Sequence, residues 1–319
     1  MKYYIAADGG GTKIISLLYD ENLNLIKSVK QYGSSIMSKS PAQTKAEIEN
    51  ALAELIPSYV TEIEGADLCI VNGADSYIDI LKSRCHVHEV KKRGEGDVPI
   101  AASGAAFGIV AQAGTGSDAF LLQPKKITTV GGWGAVLGDE GGGYDIGLKT
   151  LKAAIYHHDG RGEKTLIHDI LREEWNIKSE FYELVFKVAE SSDYRNLIAS
   201  ATSITKKAAS LGDKVALKIY EDAGHDLATQ VLAVINKNGG TWEGPIITSG
   251  GAWKGCAVMR SSFDADIKAK YPDAEIIWPY FEPVIGSIIM RRYDIGDKFS
   301  DIKDKLFTNF KDFVFQKPE

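Results

Sequence analysis

Two short segments of the chain combine glycines with hydroxyl residues in a way that is typical of phosphate-binding turns. The first runs from Asp8 to Lys13 and reads DGGGTK; the second runs from Ala113 to Asp118 and reads AGTGSD. Glycine lets backbone amides approach an anion closely, and the hydroxyls add further donors. The two segments therefore predict a pair of cradles that grip one phosphate chain.

The first segment offers amide donors, a positive charge and a carboxylate. The amides of Gly10, Gly11 and Thr12, with the Thr12 hydroxyl, are expected to hold a phosphate, and Lys13 to supply a point charge. We expect Asp8 near Mg²⁺ through water, because Mg²⁺ keeps several of its waters. A plain hairpin turn is the alternative, although hairpins rarely need three glycines in a row. The segment is not a Walker A loop, since it lacks the GxxxxGK[ST] spacing and leads into a strand.

The second segment is predicted to be a donor cradle of the same type, formed by Gly114, Thr115, Gly116 and Ser117. A plain turn is again the alternative. Its similar placement in a second half of the chain favours the phosphate-binding interpretation.

The densest glycine segment covers residues 131–143 and reads GGWGAVLGDEGGG. Trp133 offers an apolar face suited to the C–H face of a sugar. Asp139 and Glu140 can accept hydrogen bonds from hydroxyl groups, and the glycines let backbone reach a small polar ligand. The alternative is a surface loop without a ligand, but a bulky aromatic and paired acids suit a ligand wall better.

Two further positions have weaker patterns. Gly250 and Gly251 follow an apolar strand and precede a predicted helix, where backbone can approach an adenine or a ribose, although such turns are common in α/β proteins. Asp97 precedes Pro99 at a predicted helix start, so it is either a simple helix cap or a catalytic base. As a base it would orient an attacking hydroxyl for phosphoryl transfer, and Glu95 is its competitor.

The elements that must position these residues repeat along the chain. Three strands are predicted at Tyr3–Ala7, Ile14–Tyr19 and Leu25–Tyr32, followed by alternating helices and strands, and the pattern restarts at Ile109. Predicted helices include Asp97–Phe107, Lys254–Lys270 and the amphipathic end Ser300–Glu319. A mainly helical insertion, Tyr144–Asn238, is expected to hold five helical stretches. This order implies two α/β lobes around a cleft. We expect one lobe to span residues 1–108, with residues 290–319 packed back on it, and the other residues 109–289.

Composition excludes several classes of function. The chain has 319 residues and a net charge of −6, which disfavours nucleic acid as a partner. No apolar run approaches the ~20 residues that span a bilayer, so no membrane role is expected. The chain enters a strand at once, so no secretory signal is expected. Its three cysteines are widely spaced, which fits a cytoplasmic protein without disulfides or zinc. The six histidines show no ligand spacing.

In order and spacing, these segments resemble the N-acetylglucosamine kinase group of the BadF/BadG/BcrA/BcrD ATPase family. The family lies within the superfamily of actin, sugar kinases and heat-shock chaperones. The most specific part of the resemblance is the GGWG and GDEG pair in residues 131–141. The resemblance implies an α/β fold of the two-lobed, actin-like ATPase type (ribonuclease H-like), with the helical insertion in the second lobe.

The resemblance also implies an activity and the residues that perform it. ATP and Mg²⁺ would bind in the cleft, and the γ-phosphate would pass to the 6-hydroxyl of an amino sugar. Asp97 matches the catalytic aspartate and would also contact the sugar. Phosphate contacts would come from Thr12, Thr115 and Ser117, and sugar contacts from Gly132, Trp133, Gly134 and Asp139.

One departure from the family pattern affects the sugar pocket. Relatives often carry an asparagine after the third strand, whereas this chain reads GSSIM in residues 33–37. Ser34 or Ser35 could supply a hydroxyl there, and a larger sugar such as N-acetylmuramic acid becomes a candidate beside N-acetylglucosamine. The sequence leaves open which sugar is used and whether the protein forms a homodimer.

Two other classes of function stay open as alternatives. One is an ATPase that activates a partner reductase or dehydratase, although the cysteines lack the clustering that an iron–sulfur cluster requires. The other is a non-catalytic sugar sensor, although both phosphate loops are intact. A glucokinase of the ROK type is disfavoured because its cysteine-rich zinc motif is absent from the sequence.

Overall fold

The computed structural model describes residues 1–10, 13–32, 41–71, 73–124 and 126–318. Its internal contacts divide the chain into two compact units. The first unit consists of Met1–Ala106 and Pro279–Phe315, and the second consists of Phe107–Trp278 with the C-terminal residues from Gln316 onward. The first unit is therefore assembled from two separate stretches of chain.

The strands of the described residues, in chain order, are β1 (Tyr3–Gly9), β2 (Lys13–Asp20), β3 (Leu25–Tyr32), β4 (Glu62–Ile63), β5 (Gly65–Ile70), β6 (His86–Val87), β7 (Val90–Lys92), β8 (Gly108–Ala113), β9 (Ser117–Gln123), β10 (Lys126–Gly131), β11 (Ile246–Ser249) and β12 (Ile276–Ile277). The helices are α1 (Pro41–Leu55), α2 (Ala74–Arg84), α3 (Asp97–Ala102), α4 (Gly143–Asp159), α5 (Ile167–Glu174), α6 (Glu183–Ala189), α7 (Tyr194–Ser200), α8 (Thr202–Ser210), α9 (Lys214–Lys237), α10 (Ala257–Lys270), α11 (Pro283–Asp294) and α12 (Phe299–Asn309). Short 3₁₀ turns cover Ala252–Lys254 and Lys311–Phe313.

Each unit is built on a five-stranded sheet with the same topology. The first sheet has the order β3-β2-β1-β5-β7 and the second the order β10-β9-β8-β11-β12. In both sheets the first three strands are antiparallel, and the remaining two continue parallel to the central strand. The repeated strand pattern of the sequence thus corresponds to a duplicated sheet.

Helices cover both faces of the first sheet. Successive strand residues point to opposite sides, and in β1 both sides carry buried apolar residues. Ile5 and Ala7 belong to a core shared with apolar residues of α1 and α2. Ala6, between them, belongs to a second core with α11 and α12, where Val284 and Leu306 are buried. The C-terminal helices therefore complete one face of a sheet that the N-terminal strands begin.

A buried ion network joins α11 to this sheet. Asp67 of β5 is fully buried, and its carboxylate accepts hydrogen bonds from Arg93, at 2.8 Å from Nε, and from Arg291. Arg291 also donates to Glu89 at 3.1 Å. A Cβ at Gly65 would overlap the Arg291 guanidinium, so a glycine is needed for the arginine to approach. Buried charges need such partners because removal from water is costly.

The structure corrects three predicted helices and the number of helices in the insertion. The helix predicted at Asp97–Phe107 ends at Ala102, because Gly104 turns the chain at a φ of 76°. The helix predicted from Lys254 begins at Ala257, after a separate 3₁₀ turn. The insertion has six helices instead of five, because one predicted stretch is divided at Ala201 into α7 and α8. Alanine gives no helix-breaking signal in the sequence. The final helix ends at Asn309.

Candidate functional site

The first phosphate-type segment forms the turn between β1 and β2. Gly10 N–H donates to the carbonyl of Lys13 at 3.1 Å, which closes the turn. A Cβ at Gly9 would lie 2.6 Å from Lys13 O, so the turn requires glycine there, whereas a Cβ at Gly10 would meet open space. Gly11 and Thr12, predicted as phosphate ligands, lie outside the described residues. Ser34 and Ser35 also lie outside them.

Asp8 stands near the carboxyl end of β1, opposite Cys69 in the parallel strand β5. The pKa of Asp8 is raised to about 7, chiefly by burial and to a lesser extent by the carboxylates of Glu95 and Glu282, whereas the Cys69 thiol and the Lys13 ammonium oppose the rise. The side chain is nevertheless partly exposed. The charged form of Asp8 is therefore only partly compensated, by the Cys69 thiol and the Lys13 ammonium.

Asp97 and Glu95 lie at the same end of the first sheet. The pKa of the buried Cys69 thiol is raised chiefly by burial, and also by the carboxylates of Asp8, Glu95 and Asp97. All three carboxylates are thus close enough to Cys69 to act on its thiol electrostatically. The fold therefore brings them to the same region of the first unit. Burial also raises the pKa of Glu95.

The structure places Asp97 inside its helix instead of at the cap. Gly96 is the N-cap of α3, and Asp97 is the first helical residue. Its carboxylate lies back over Gly94, where a Cβ would come within 2.6 Å of Oδ2. The helix itself is held against α11, since a Cβ at Gly286 would overlap the carbonyl of Val98. The simple capping role considered for Asp97 is wrong, and its role as a base stays a prediction.

The second phosphate-type segment connects β8 to β9 and is fixed by the start of α4. The carbonyl of Gly114 accepts from Gly143 N–H at 2.8 Å, and the carbonyl of Thr115 accepts from Tyr144 N–H at 2.9 Å. The free amides at the start of a helix need acceptors, and the loop carbonyls provide them. The loop and helix therefore form one local structure.

The hydroxyl of Ser117 is engaged inside the protein. It donates to the carbonyl of Glu140 at 2.6 Å and accepts from Nε2 of Gln230 at 3.0 Å. Gln230, from α9, also donates to the carbonyl of Glu140 at 3.1 Å. The Ser117 side chain, which the sequence predicts to contact phosphate, holds the loop against the 131–143 segment. No sequence pattern indicates its contacts with Glu140 and Gln230.

The 131–143 segment combines a tight backbone with exposed apolar side chains. Gly131, Gly132 and Gly134 all have positive φ, and Gly132 N–H donates to the carbonyl of Ser117 at 2.9 Å. The Trp133 side chain is 75% exposed, so its ring face is accessible for stacking. The glycines therefore fold this segment onto the second loop, and the tryptophan stays on the surface.

Asp139 is the residue where these parts meet. Its carboxylate is buried, Oδ1 accepts from Gly134 N–H at 3.2 Å, and Oδ2 accepts from Nη2 of Arg195 at 2.9 Å. A Cβ at Gly116 would lie only 2.5 Å from Oδ2, so the carboxylate lies against the loop backbone. Sequence reasoning missed Arg195, which is 56 residues away along the chain and lies in no recognisable motif.

The Gly250–Gly251 turn lies beside the same loop. Gly250 has a φ of 111°, and a Cβ there would overlap the carbonyl of Ala113. A Cβ at Gly251 would meet open space, so this backbone is accessible to a ligand. β8 and β11 end next to each other, with Gln112 paired to Ser249. The fold thus brings the 250–251 turn to the Gly114 loop.

The described side chains could hold Mg²⁺ only together with waters and the phosphates of a bound nucleotide. Among the described residues, no group of three or more histidine, cysteine, aspartate or glutamate side chains could hold a metal ion. Mg²⁺ commonly binds through one or two carboxylates, waters and substrate phosphates instead of an all-protein cage. Asp8, whose charge is only partly compensated, fits that mode.

A search of the described residues for a membrane-crossing helix also found none that is long and apolar enough.

Comparisons with known proteins bear on the whole chain. A protein of Clostridium acetobutylicum named N-acetylmuramic acid/N-acetylglucosamine kinase is 30% identical over 311 residues, covering 92% of this chain and 99% of that protein. The N-acetyl-D-glucosamine kinase of Dictyostelium discoideum is 26% identical over 308 residues, covering 90% and 97%. The chain thus spans nearly the full length of both relatives.

A solved structure shows the same fold. A Porphyromonas gingivalis protein, provisionally assigned as an N-acetylglucosamine kinase, superposes with a TM-score of 0.71 at 15% identity, covering 92% of this chain and 99% of that one. This likeness confirms the predicted α/β fold of the actin-like sugar kinases. The model of the BadF/BadG/BcrA/BcrD ATPase family matches residues 7–290. The chain therefore belongs to the BadF/BadG/BcrA/BcrD ATPase family.

Proposed function

We propose that this protein is an ATP-dependent amino-sugar kinase that transfers the γ-phosphate of ATP to the 6-hydroxyl of N-acetylglucosamine, N-acetylmuramic acid or both. The contact between Asp139 and Gly116 carries the proposal. It places a buried carboxylate suited to sugar hydroxyls directly against a glycine loop suited to phosphates. The names of the two full-length relatives support the same class of reaction.

The roles of the remaining residues follow from their chemistry. In the second unit, the Gly114–Ser117 loop and the Gly250–Gly251 turn would bind nucleotide, and Trp133 would stack on the sugar. In the first unit, Gly10 and Lys13 would contact phosphate, with Asp8 holding Mg²⁺ through water. When bound, Mg²⁺ would neutralise charge on the phosphates. These assignments are proposals that mutagenesis can test one by one.

Asp97 would orient the acceptor. The bond between the γ-phosphorus and the β–γ bridging oxygen breaks, and a bond from phosphorus to the sugar oxygen forms. The hydroxyl proton passes to the Asp97 carboxylate as that bond forms, because the loose transition state of phosphoryl transfer requires orientation more than early deprotonation.

A substrate panel tests the proposal. Purified protein with ATP and MgCl₂ should release ADP in the presence of N-acetylglucosamine or N-acetylmuramic acid, with less activity on glucosamine and glucose as matched sugars without the acetyl group. Phosphorus–proton coupling in the NMR spectrum of the product should place the phosphate on O6. Failure to phosphorylate any N-acetylated hexosamine would reject the function.

The panel also separates the alternatives. ATP hydrolysis that no sugar stimulates would favour an ATPase that acts on a partner protein. Sugar binding without any ATP turnover would favour a sensor. A cytoplasmic location and a homodimer stay predictions; fractionation of the native cells and light scattering of the purified protein test them.

A further inference from the structure

Asp139 has a backbone conformation that residues with side chains rarely adopt. Its φ is 64°, and among the described non-glycine residues only Leu23 and Asn176 also have positive φ. This left-handed conformation is unfavourable for L-residues, although aspartate tolerates it better than most. Such positions persist where surrounding contacts impose them, and they cluster at ligand sites. The groups that hold Asp139 therefore bear on what it binds.

Arg195 is the charged partner of the Asp139 carboxylate. The Arg195 side chain is one-third exposed, whereas that of Asp139 is 5% exposed. The arginine makes a single contact, from Nη2 to Oδ2 at 2.9 Å, instead of the two-pronged pairing that Arg and carboxylate can form. Its Nε is buried and has no hydrogen-bond partner among the described residues. The single contact fixes the position of one carboxylate oxygen, Oδ2.

The backbone that carries Arg195 is anchored to the second loop. Asp193 is the N-cap of α7, and its carboxylate accepts the N–H of Asn196 at 3.2 Å. α7 packs so closely on α4 that a Cβ at Gly147 would overlap the carbonyl of Ile198. α4 in turn binds the carbonyls of the Gly114 loop through its first amides. Arg195 thus contacts Asp139 from α7, which packs on α4, and α4 is hydrogen-bonded to the Gly114 loop.

We infer that Arg195 is a positioning residue for the acceptor sugar: it orients the Asp139 carboxylate toward the sugar hydroxyls, and so links the helical insertion to substrate selection. The inference rests on the proposed kinase function and extends it to a residue outside both predicted phosphate-binding segments. Loss of Arg195 should weaken acceptor binding specifically, because Asp139 would lose the partner of Oδ2 and the carboxylate could rotate.

Steady-state kinetics of Arg195→Met test the inference. If the misoriented Asp139 carboxylate loses a charge-assisted hydrogen bond to a sugar hydroxyl, the KM for the amino sugar should rise roughly 10- to 100-fold. The KM for ATP should change by less than about 3-fold, since the interaction lost is one of acceptor binding. Arg195→Lys keeps the charge and should recover part of the acceptor affinity.

Arg172→Met is the matched control. Arg172 also belongs to the insertion and makes one hydrogen bond, from Nη2 to the carbonyl of Ser179 at 3.1 Å, and like Arg195 it is partly exposed, but that bond is not to Asp139. It should behave like the wild type. If Arg195→Met leaves the acceptor KM unchanged, or raises both KM values equally without rescue by lysine, the inference is overturned.

Two precautions keep the outcome interpretable. If Arg195→Met does not fold, Arg195→Lys alone decides, because an unchanged acceptor KM in that folded variant also overturns the inference. If the wild type phosphorylates no amino sugar, the proposed function fails instead. An active wild type with an unaffected Arg195 variant rejects only the role of Arg195.

Discussion

At the scale of single residues, the choice between Asp97 and Glu95 decides the chemistry. Asp97→Asn removes the proton acceptor but keeps the side-chain volume, so kcat should fall by about 10²–10⁴-fold. ATP affinity, measured by titration calorimetry, should stay within about 3-fold, since Asp97 is assigned to the acceptor.

Glu95→Gln is the matched control for this prediction. Glu95 is two residues away, and its carboxylate, like that of Asp97, raises the pKa of the Cys69 thiol. Its variant should keep most of the activity. The reverse pattern, an active Asp97→Asn and an inactive Glu95→Gln, would transfer the catalytic role to Glu95.

The high pKa of Asp8 predicts a pH-dependent stability. Burial raises this pKa from 3.8 to about 7 in the folded protein. Between these values the folded state holds a proton that the unfolded state has released, so the contribution of Asp8 to stability falls as pH rises through this window. Above pH 7, the charged carboxylate destabilises the ligand-free fold by a constant amount.

Asp8→Asn should therefore stabilise the ligand-free protein at pH 8 and have little effect at pH 4, where the folded and unfolded states both hold much of the proton. Because Asp8 is partly exposed, the gain is about 1–2 kcal/mol, or a few degrees in Tm. Thermal unfolding without nucleotide or Mg²⁺ measures it, and Asp75→Asn, at an exposed carboxylate, is the control. An equal shift at both pH values would contradict the assignment.

At the scale of elements, the close approach of α4 and α7 is set by Gly147. Gly147→Ala would force the two helices apart, because the new methyl group overlaps the carbonyl of Ile198. Overpacking of this kind costs about 1–3 kcal/mol. If Arg195 positions Asp139 as inferred, the variant should also raise the acceptor KM while leaving the KM for ATP nearly unchanged.

Gly160→Ala provides the comparison for this prediction. Gly160 lies just after the other end of α4, where a Cβ would meet open space, although its φ of 72° makes alanine mildly strained. It should lose a similar amount of stability without any change in the acceptor KM. Equal kinetic effects of both variants would show that general destabilisation, and not the position of α7, is responsible.

The elements also show what the sequence could predict. Glycine loops between strands are local patterns, so the turns at Gly10, Gly114 and Gly250 and the duplicated strands were predicted from sequence. The break at Ala201 was missed because alanine favours helix, and the break arises where α7 packs on α4. Arg195 and Gln230 were also missed, because each contacts its partner only across a long sequence separation that no local pattern reveals.

At the scale of the whole molecule, the Asp67 network ties the two stretches of the first unit together. Arg291→Met should lower the free energy of unfolding by about 2–4 kcal/mol, because it leaves a fully buried carboxylate with Arg93 as its remaining partner. Lys92→Met breaks the exposed pair with Asp75 and should cost less than about 1 kcal/mol.

Urea titration, followed by fluorescence, measures both variants. Comparison of transition midpoints is the safer readout, because a chain with two units need not unfold in one step. If the two variants shift the midpoint equally, the network contributes no more than a surface pair does, and α11 is held by its apolar contacts alone.

The assembly of the first unit from two stretches of chain has a consequence during synthesis on the ribosome. Phe281, Val284 and Ile285 pack on Ala6 and Leu17, but they emerge only after residues 107–278 of the second unit. At about 5–20 residues per second, roughly ten to forty seconds separate the two stretches. During that interval the nascent N-terminal sheet has one uncovered apolar face, so the earliest part of the chain is the last to finish folding and the part most dependent on chaperones.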